Sequence, residues 1–355
     1  MRAEIIKVDP KSPQREIMEK AGRILRGGGL VAFPTETVYG LGGDGLNPES
    51  SGKIYRAKGR PSDNPLIVHI GSLRDLPKLA EQVPDGALRL ARRFWPGPLT
   101  MIFPKTRTVP YETTGGLESV AVRMPSHPVA LELIRAAGGF VAAPSANRSG
   151  RPSPTLAAHV AEDLGEEIEL ILDGGMVGIG LESTIVDFTQ APPAILRPGY
   201  ISREMLAACI GQVELDPGID RPGTRPPKAP GMRYRHYAPQ APLTIVEGEQ
   251  AHVADYLNDL ARRERQRGRQ VGILASDETA GLYQYGLVKR VGSRETDGDI
   301  ALHLYQVLRE FDQEQVSCIY SESFYTRQMG QAIMNRLLKA AGYRVIQVSQ
   351  SSNKL

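Results

Sequence analysis

Two short stretches gather the residue types that bind anions. KGRPSDNPL, residues 58–66, sets Lys58 and Arg60 two positions apart on a proline-broken segment that ends in Asn64-Pro65. PSANRSGRPSPT, residues 144–155, supplies Ser145, Asn147, Ser149 and Ser153 among prolines and small residues. A lysine offers a phosphate or carboxylate a point charge, an arginine offers a planar fork, and hydroxyls and amides complete the hydrogen bonding of an oxygen-rich ligand. In an extended segment, Lys58 and Arg60 would share one face. A solvated basic loop is the plain alternative, but Gly59, Pro61 and Asn64-Pro65 fix a shape that solvation does not require. The two stretches read as walls of a pocket for something anionic and hydroxylated, such as a nucleotide phosphate chain.

Polar groups recur where strand-like runs end. Arg123 sits between Val122 and Met124 in AVRMPSHP. Burying it without an anionic partner would be costly, so it is read as a clamp for a substrate carboxylate. His69 lies inside LIVHI and, taken alone, reads as a satisfied core histidine. Ser183-Thr184 and Arg197 lie at the edges of further strand-like runs. FPTETVYGLGGDG, residues 33–45, contains Gly40-x-Gly42-x-x-Gly45, a formal match to the dinucleotide fingerprint. The polar insert Thr35-Glu36-Thr37 and the lack of a ribose-binding acid after a following strand argue against that reading. A glycine turn at positive φ is expected instead, with Thr35 and Thr37 facing a ligand as the third reading. Nothing fits GxxxxGK[ST], so a nucleotide must be held in another way. APGMRYRHYAP, residues 229–239, interleaves Tyr234, His236 and Tyr237 with arginines, which suits a segment that folds over a pocket.

The elements that must position these groups follow from period and punctuation. Strand-like runs occur at 4–9, 30–33, 66–70, 99–103, 119–124, 140–143, 170–173, 183–188 and 194–197, and helical patterns fit 13–25, 48–57, 85–94, 127–137, 155–163 and 202–210. Residues 1–212 are therefore expected to form an α+β domain on a large twisted sheet. Residues 213–240 hold six prolines and five basic residues, and are expected to be a semi-extended linker. Residues 241–355 alternate strand and helix, as a smaller, mostly parallel, Rossmann-like α/β domain would.

Composition narrows the classes. The chain has 355 residues, 41% hydrophobic and 23% charged, with no apolar run of membrane-spanning length, and MRAEIIKVDP does not read as a signal peptide. A cytoplasmic protein is expected. Net charge is +3, and residues 1–212 and 241–355 are each nearly balanced, with 24 basic and 23 acidic side chains in the first and 14 of each in the second. The global charge of a dedicated nucleic-acid binder is missing. The two cysteines, Cys209 and Cys318, allow no zinc module or disulfide framework and are expected to be small buried hydrophobes.

FPTETVYGLG, KGRPSDNPL, PGPLT, AVRMPSHP, PSANRSG and ESTIVD, in this order, resemble the threonylcarbamoyl-AMP synthase family, and the HYAP-type linker and trailing domain resemble its long form, a YrdC-like domain followed by a Rossmann-like one. The resemblance covers essentially the whole chain. It implies that L-threonine, bicarbonate or CO2, and ATP give threonylcarbamoyl-AMP and pyrophosphate, beginning N6-threonylcarbamoyladenosine synthesis in tRNA. Carried over by position, Thr37, His69, Arg123, Ala143 and Ser183 would hold threonine, Arg123 taking its carboxylate. Arg60, Asn64, Ser119, Ser145, Asn147, Ser153, Arg197 and a linker tyrosine, Tyr234 or Tyr237, would hold ATP. Lys58 would neutralise the carbamate or phosphates, which with Arg60 makes the expected catalytic pair. Under this resemblance His69 moves from core residue to ligand contact. Mg²⁺ is expected with ATP, with no protein ligand assigned. The product would pass to a tRNA threonylcarbamoyl transferase, leaving room for a weak, secondary tRNA contact. Two rivals remain. Hydrogenase-maturation carbamoyltransferases share a related domain but carry cysteine-rich zinc modules, which two cysteines exclude. A double-stranded RNA or tRNA-binding module without synthase activity would need a more basic domain.

Overall fold

Alternation along the short apolar strands decides which side chains meet. In a computed structural model, residues 2–219, 228–230, 236–325 and 328–349 are described. The chain divides into two compact units, Met1–Ser149 with Ser153–Tyr234 and Gly150–Pro152 with Arg235–Leu355.

The first unit is built on β1 (Glu4–Lys7), β2 (Val31–Phe33), β3 (Gly40–Asp44), β4 (Ile67–Ile70), β5 (Leu99–Pro104), β6 (Ser119–Arg123), β7 (Phe140–Ala142), β8 (Leu170–Asp173), β9 (Thr184–Asp187), β10 (Ala194–Arg197) and β11 (Glu214–Leu215). They form one mixed 11-stranded sheet in the order β1-β8-β2-β3-β7-β4-β6-β5-β9-β10-β11. Successive side chains point to opposite faces. One face carries Val68, Ile70, Met101, Phe103, Val120, Val122, Val186 and Ile195, covered by helices 85–94 and 203–210. On the other, Val31, Phe33, Val141, Leu170 and Leu172 pack under helices 15–26 and 128–136. Val141 pairs with His69 across β7 and β4, so His69 lies on this second face. Beyond it is a smaller apolar patch of Ile67, Ala121, Ile102, Ile185, Ala194 and Leu196, joined by Ala229 from the 213–240 segment.

The expected glycine turn at 40–45 is instead strand β3, antiparallel to β2 and β7. Gly40, Gly42 and Gly43 are not at positive φ. A Cβ on Gly42 would stand 2.9 Å from Phe33 Cε1 and 2.9 Å from Val141 Cγ1, so close approach of neighbouring strands, and not turn geometry, requires glycine there. An antiparallel hairpin also rules out the strand-to-helix context of a dinucleotide fingerprint.

The second unit holds a parallel five-stranded sheet, order β14-β13-β15-β12-β16, from β12 (Leu243–Glu247), β13 (Val271–Ala275), β14 (Leu287–Arg290), β15 (Cys318–Glu322) and β16 (Val345–Gln347). Helices 250–266, 297–313 and 330–340 connect the strands, giving the expected Rossmann-like α/β layering. Cys209 and Cys318 are half-buried, less enclosed than the sequence reading held.

Candidate active site

Lys58 and Arg60 do not lie on an extended segment. Helix 48–58 begins on Asn47, whose side chain accepts from Glu49 N, with Pro48 in its first turn. It ends at Gly59 in the left-handed conformation, φ 59°. Lys58 is thus the last helical residue, and Arg60 follows a sharp reversal. Both are buried, at 2% and 8% exposure, so neither is a solvated cation.

The reversal ties the two loops together. Lys58 Nζ donates to Ser145 O at 2.5 Å and to Asn147 O, while Ser149 N donates to Lys58 O at 2.8 Å. Arg60 spans its own loop, Nε donating to Asn64 O at 3.2 Å and Nη2 to Pro65 O at 3.1 Å. Ser145 Oγ donates to Asn147 Oδ1 at 2.6 Å and Ser153 Oγ to Glu182 Oε1 at 2.6 Å. Strand β3 and Tyr39 just before it hold the hydroxyl loop from its other side, through Leu41 N to Pro144 O at 2.8 Å and Ala146 N to Tyr39 O at 2.8 Å. Asn64 is 1% exposed, and among the described residues its Oδ1 has no hydrogen-bond partner.

The remaining residues line the second sheet face. Ser119 and Arg123 are four apart on β6, hence on one face. His69 and Arg123 are register partners on parallel strands β4 and β6, and Thr100 is the partner of Arg123 on β5. Thr100 Oγ1 lies 2.8 Å from Ser183 Oγ. Arg197 donates from Nη2 to Ser183 Oγ at 3.2 Å and from Nε to Ser183 O at 3.0 Å. Ala143 N donates to Ile67 O at 2.9 Å. Thr37 is fully buried, with Oγ1 2.9 Å from Thr35 Oγ1. His69 is held uncharged, its pKa lowered to about 3, first by burial and then by the Arg123 charge.

The sequence reading passed over Glu36. It is the anionic partner that a buried Arg123 demands, with Oε1 2.7 Å from Arg123 Nη2. An acid enclosed by two threonines in an apolar run was the available signal.

Of the 213–240 segment, residues 228–230 lie against the same unit. Lys228 Nζ pairs with Asp187 Oδ2 at 2.9 Å, Ala229 is fully buried in the apolar patch, and Arg197 Nη1 donates to Pro230 O at 3.3 Å. Tyr234 lies outside the described residues. Tyr237, itself in the second unit, is at φ 64° and 5% exposed, and its ring stacks on Tyr305 of that same unit with centroids 5.3 Å apart. The arrangement can neutralise and orient anions. Among the described residues no group of three or more His, Cys, Asp or Glu could hold a metal ion.

Residues 23–199 match the family model described as telomere recombination, and residues 201–342 match that of the threonylcarbamoyl-AMP synthase C-terminal domain. The threonylcarbamoyl-AMP synthase of Pyrococcus abyssi is 46% identical over 344 residues, 97% of this chain and 99% of that protein. The Bacillus subtilis synthase is 49% identical over 328 residues, 92% of this chain and 93% of that one. A crystal structure of P. abyssi Sua5 complexed with L-threonine superposes with a TM-score of 0.93 at 44% identity, covering 98% of this chain and 100% of that one.

Proposed function

The chain belongs to the threonylcarbamoyl-AMP synthase family in its two-domain form, and from that premise we propose the part that each site residue plays. The enzyme is a nucleotidyltransferase that makes threonylcarbamoyl-AMP from L-threonine, bicarbonate or CO2, and ATP, releasing pyrophosphate, in the first step of N6-threonylcarbamoyladenosine formation in tRNA. Threonine's amine and CO2 form a carbamate, and its oxygen attacks the α-phosphate of ATP. Once the amine has lost its protons to solvent and taken up CO2, the carbamate is itself the oxyanion, so its attack on phosphorus needs no further base. The demand is for charge and alignment, since two anions must approach each other.

On the threonine side, Arg123 takes the carboxylate, while His69, Thr37, Ser183 and the Ala143 backbone shape the pocket. A neutral His69 can accept or donate a hydrogen bond without repelling Arg123. On the nucleotide side, Arg60, Ser145, Asn147, Ser153, Ser119 and Arg197 hold ATP. The buried Asn64 Oδ1 suits a ribose hydroxyl or an exocyclic amine that donates to it. Lys58 anchors the hydroxyl loop and brings its charge beside the reacting oxygens. A linker tyrosine, Tyr234 or Tyr237, completes the nucleotide contacts. Mg²⁺ arrives with the ATP phosphates as part of the substrate, and no step here depends on a protein ligand to it.

The observation that carries this reading is the alternation that brings His69, Arg123, Ser119 and Ser183 to one sheet face, with the linker's Ala229 packed on that face's apolar floor. It supports residues 1–212 as the catalytic domain and 213–240 as a cover for the reactants and a labile product. Residues 241–355 hold the far end of the cover, where Tyr237 stacks on Tyr305 and Gln240 N donates to Asp312 Oδ1 at 2.7 Å. The product passes to a tRNA threonylcarbamoyl transferase in the cytoplasm. Pyrophosphate release, assayed with threonine, bicarbonate or ATP omitted in turn, tests the reaction. Deletion of residues 213–355 tests the cover: activity should fall, and full activity of residues 1–212 would contradict it.

A further inference from the structure

Glu36 and Arg123 form a buried ion pair with incomplete geometry. Arg123 Nη2 is 2.7 Å from Glu36 Oε1, yet among the described residues neither Glu36 oxygen and neither Nε nor Nη2 of Arg123 makes a well-angled hydrogen bond, and all four atoms are shielded from water. A well-aligned arginine–carboxylate pair would use the fork and gain two directed bonds. This pair carries the desolvation cost of two charges and lacks that alignment. Chance placement does not account for it, because the backbone here is pinned. Ile179 N donates to Glu36 O at 2.9 Å and Gly180 N to Thr37 O at 3.0 Å, and Thr35 Oγ1 donates to Val38 O at 2.6 Å.

We propose that Glu36 receives the α-ammonium of L-threonine, exchanging Arg123 for it as the substrate carboxylate takes the guanidinium. This rests on the assignment of Arg123 to that carboxylate. The exchange is electroneutral. A zwitterion enters, one poorly aligned pair becomes two, and no buried charge is left alone. Of the neighbouring groups, His69 is uncharged and Glu182 is tied to Ser153 Oγ, so Glu36 is the carboxylate already set against Arg123. The pair thus selects an α-amino acid over a hydroxy acid with the same carboxylate and methyl carbinol. In the product, the threonine nitrogen is an uncharged carbamoyl N–H. Glu36 then has Arg123 alone to return to, which favours release.

Calorimetric titration of the full-length chain with L-threonine and with (R)-3-hydroxybutyrate, its des-amino counterpart, tests the exchange. Glu36→Gln keeps the shape and removes the charge. It should weaken threonine binding by about tenfold or more, while leaving the des-amino acid bound as well as before or better. Equal weakening of both ligands, or of neither, would overturn the proposal, since a residue that merely props Arg123 affects both alike. Threonine alone gives a second reading. A charge role ranks Glu36→Asp above Glu36→Gln, and the reverse order would sink the proposal. Arg123→Gln should lose both ligands; their retention would remove the carboxylate assignment and the exchange with it.

Discussion

His69 and Arg123 stand side by side as register partners on the parallel strands β4 and β6, so a buried imidazole neighbours a buried guanidinium. Burial is the larger cause and the Arg123 charge the second in holding the His69 pKa near 3. In the unfolded chain the same side chain binds its proton near the ordinary value of about 6.5. Between these values the unfolded state binds the extra proton, so stability is full above about pH 6.5 and falls as pH drops toward 3. Denaturant melts should show the wild type losing on the order of 2 kcal/mol more than His69→Gln between pH 7 and pH 5. Equal losses would mean that His69 is not the buried neutral base described here.

Arg60 braces its own loop through two backbone carbonyls, and we propose that it holds the nucleotide. Arg60→Ala should cut kcat/KM for ATP by about a hundredfold or more, the scale of a lost charge-stabilising donor, while far-ultraviolet dichroism stays native. Near-wild-type turnover would sink the assignment.

Gly42 has no room for a methyl group between Phe33 and Val141, and the Phe33 ring stands edge-on to His69 with centroids 6.5 Å apart. Gly42→Ala should therefore cost about 1–3 kcal/mol by overpacking and raise KM for threonine more than KM for ATP. Unchanged melting would show that the strand yields more easily than its contacts imply.

In the second unit, Glu322 is 2% exposed at the end of β15 and accepts from Arg294 Nη2 at 2.6 Å, Tyr283 OH at 2.5 Å, Ser276 N at 3.2 Å and Thr279 Oγ1. Burial first and the Glu322 charge second keep the Tyr283 phenol protonated well above its usual range. Glu322→Ala strands the Arg294 charge and three further donors, and calorimetry should show the unit destabilised by about 3–5 kcal/mol. A melting profile like that of the wild type would contradict this network.

Much of the sheet was legible because alternation in runs such as SVAVR is local and strong. Strand β3 was not. Its glycines have little strand propensity of their own, and what makes them necessary, Phe33 and Val141, is set by strand pairing. The lysine–arginine loop was found by type but misread in shape, since a left-handed Gly59 looks like any other glycine in sequence. Arg123 was correctly judged to need an anion. Which anion was hidden, because Glu36 lies 87 positions earlier and meets it only through the sheet.

We propose that one sheet face holds threonine by Arg123 while the adjoining loops hold ATP. The most direct test is pyrophosphate release by Arg123→Gln, with threonine and ATP varied separately. Release should depend on threonine and bicarbonate, with KM for threonine raised about a hundredfold and KM for ATP within about twofold of wild type. Release indifferent to threonine, or an equal rise in both KM values, would contradict it.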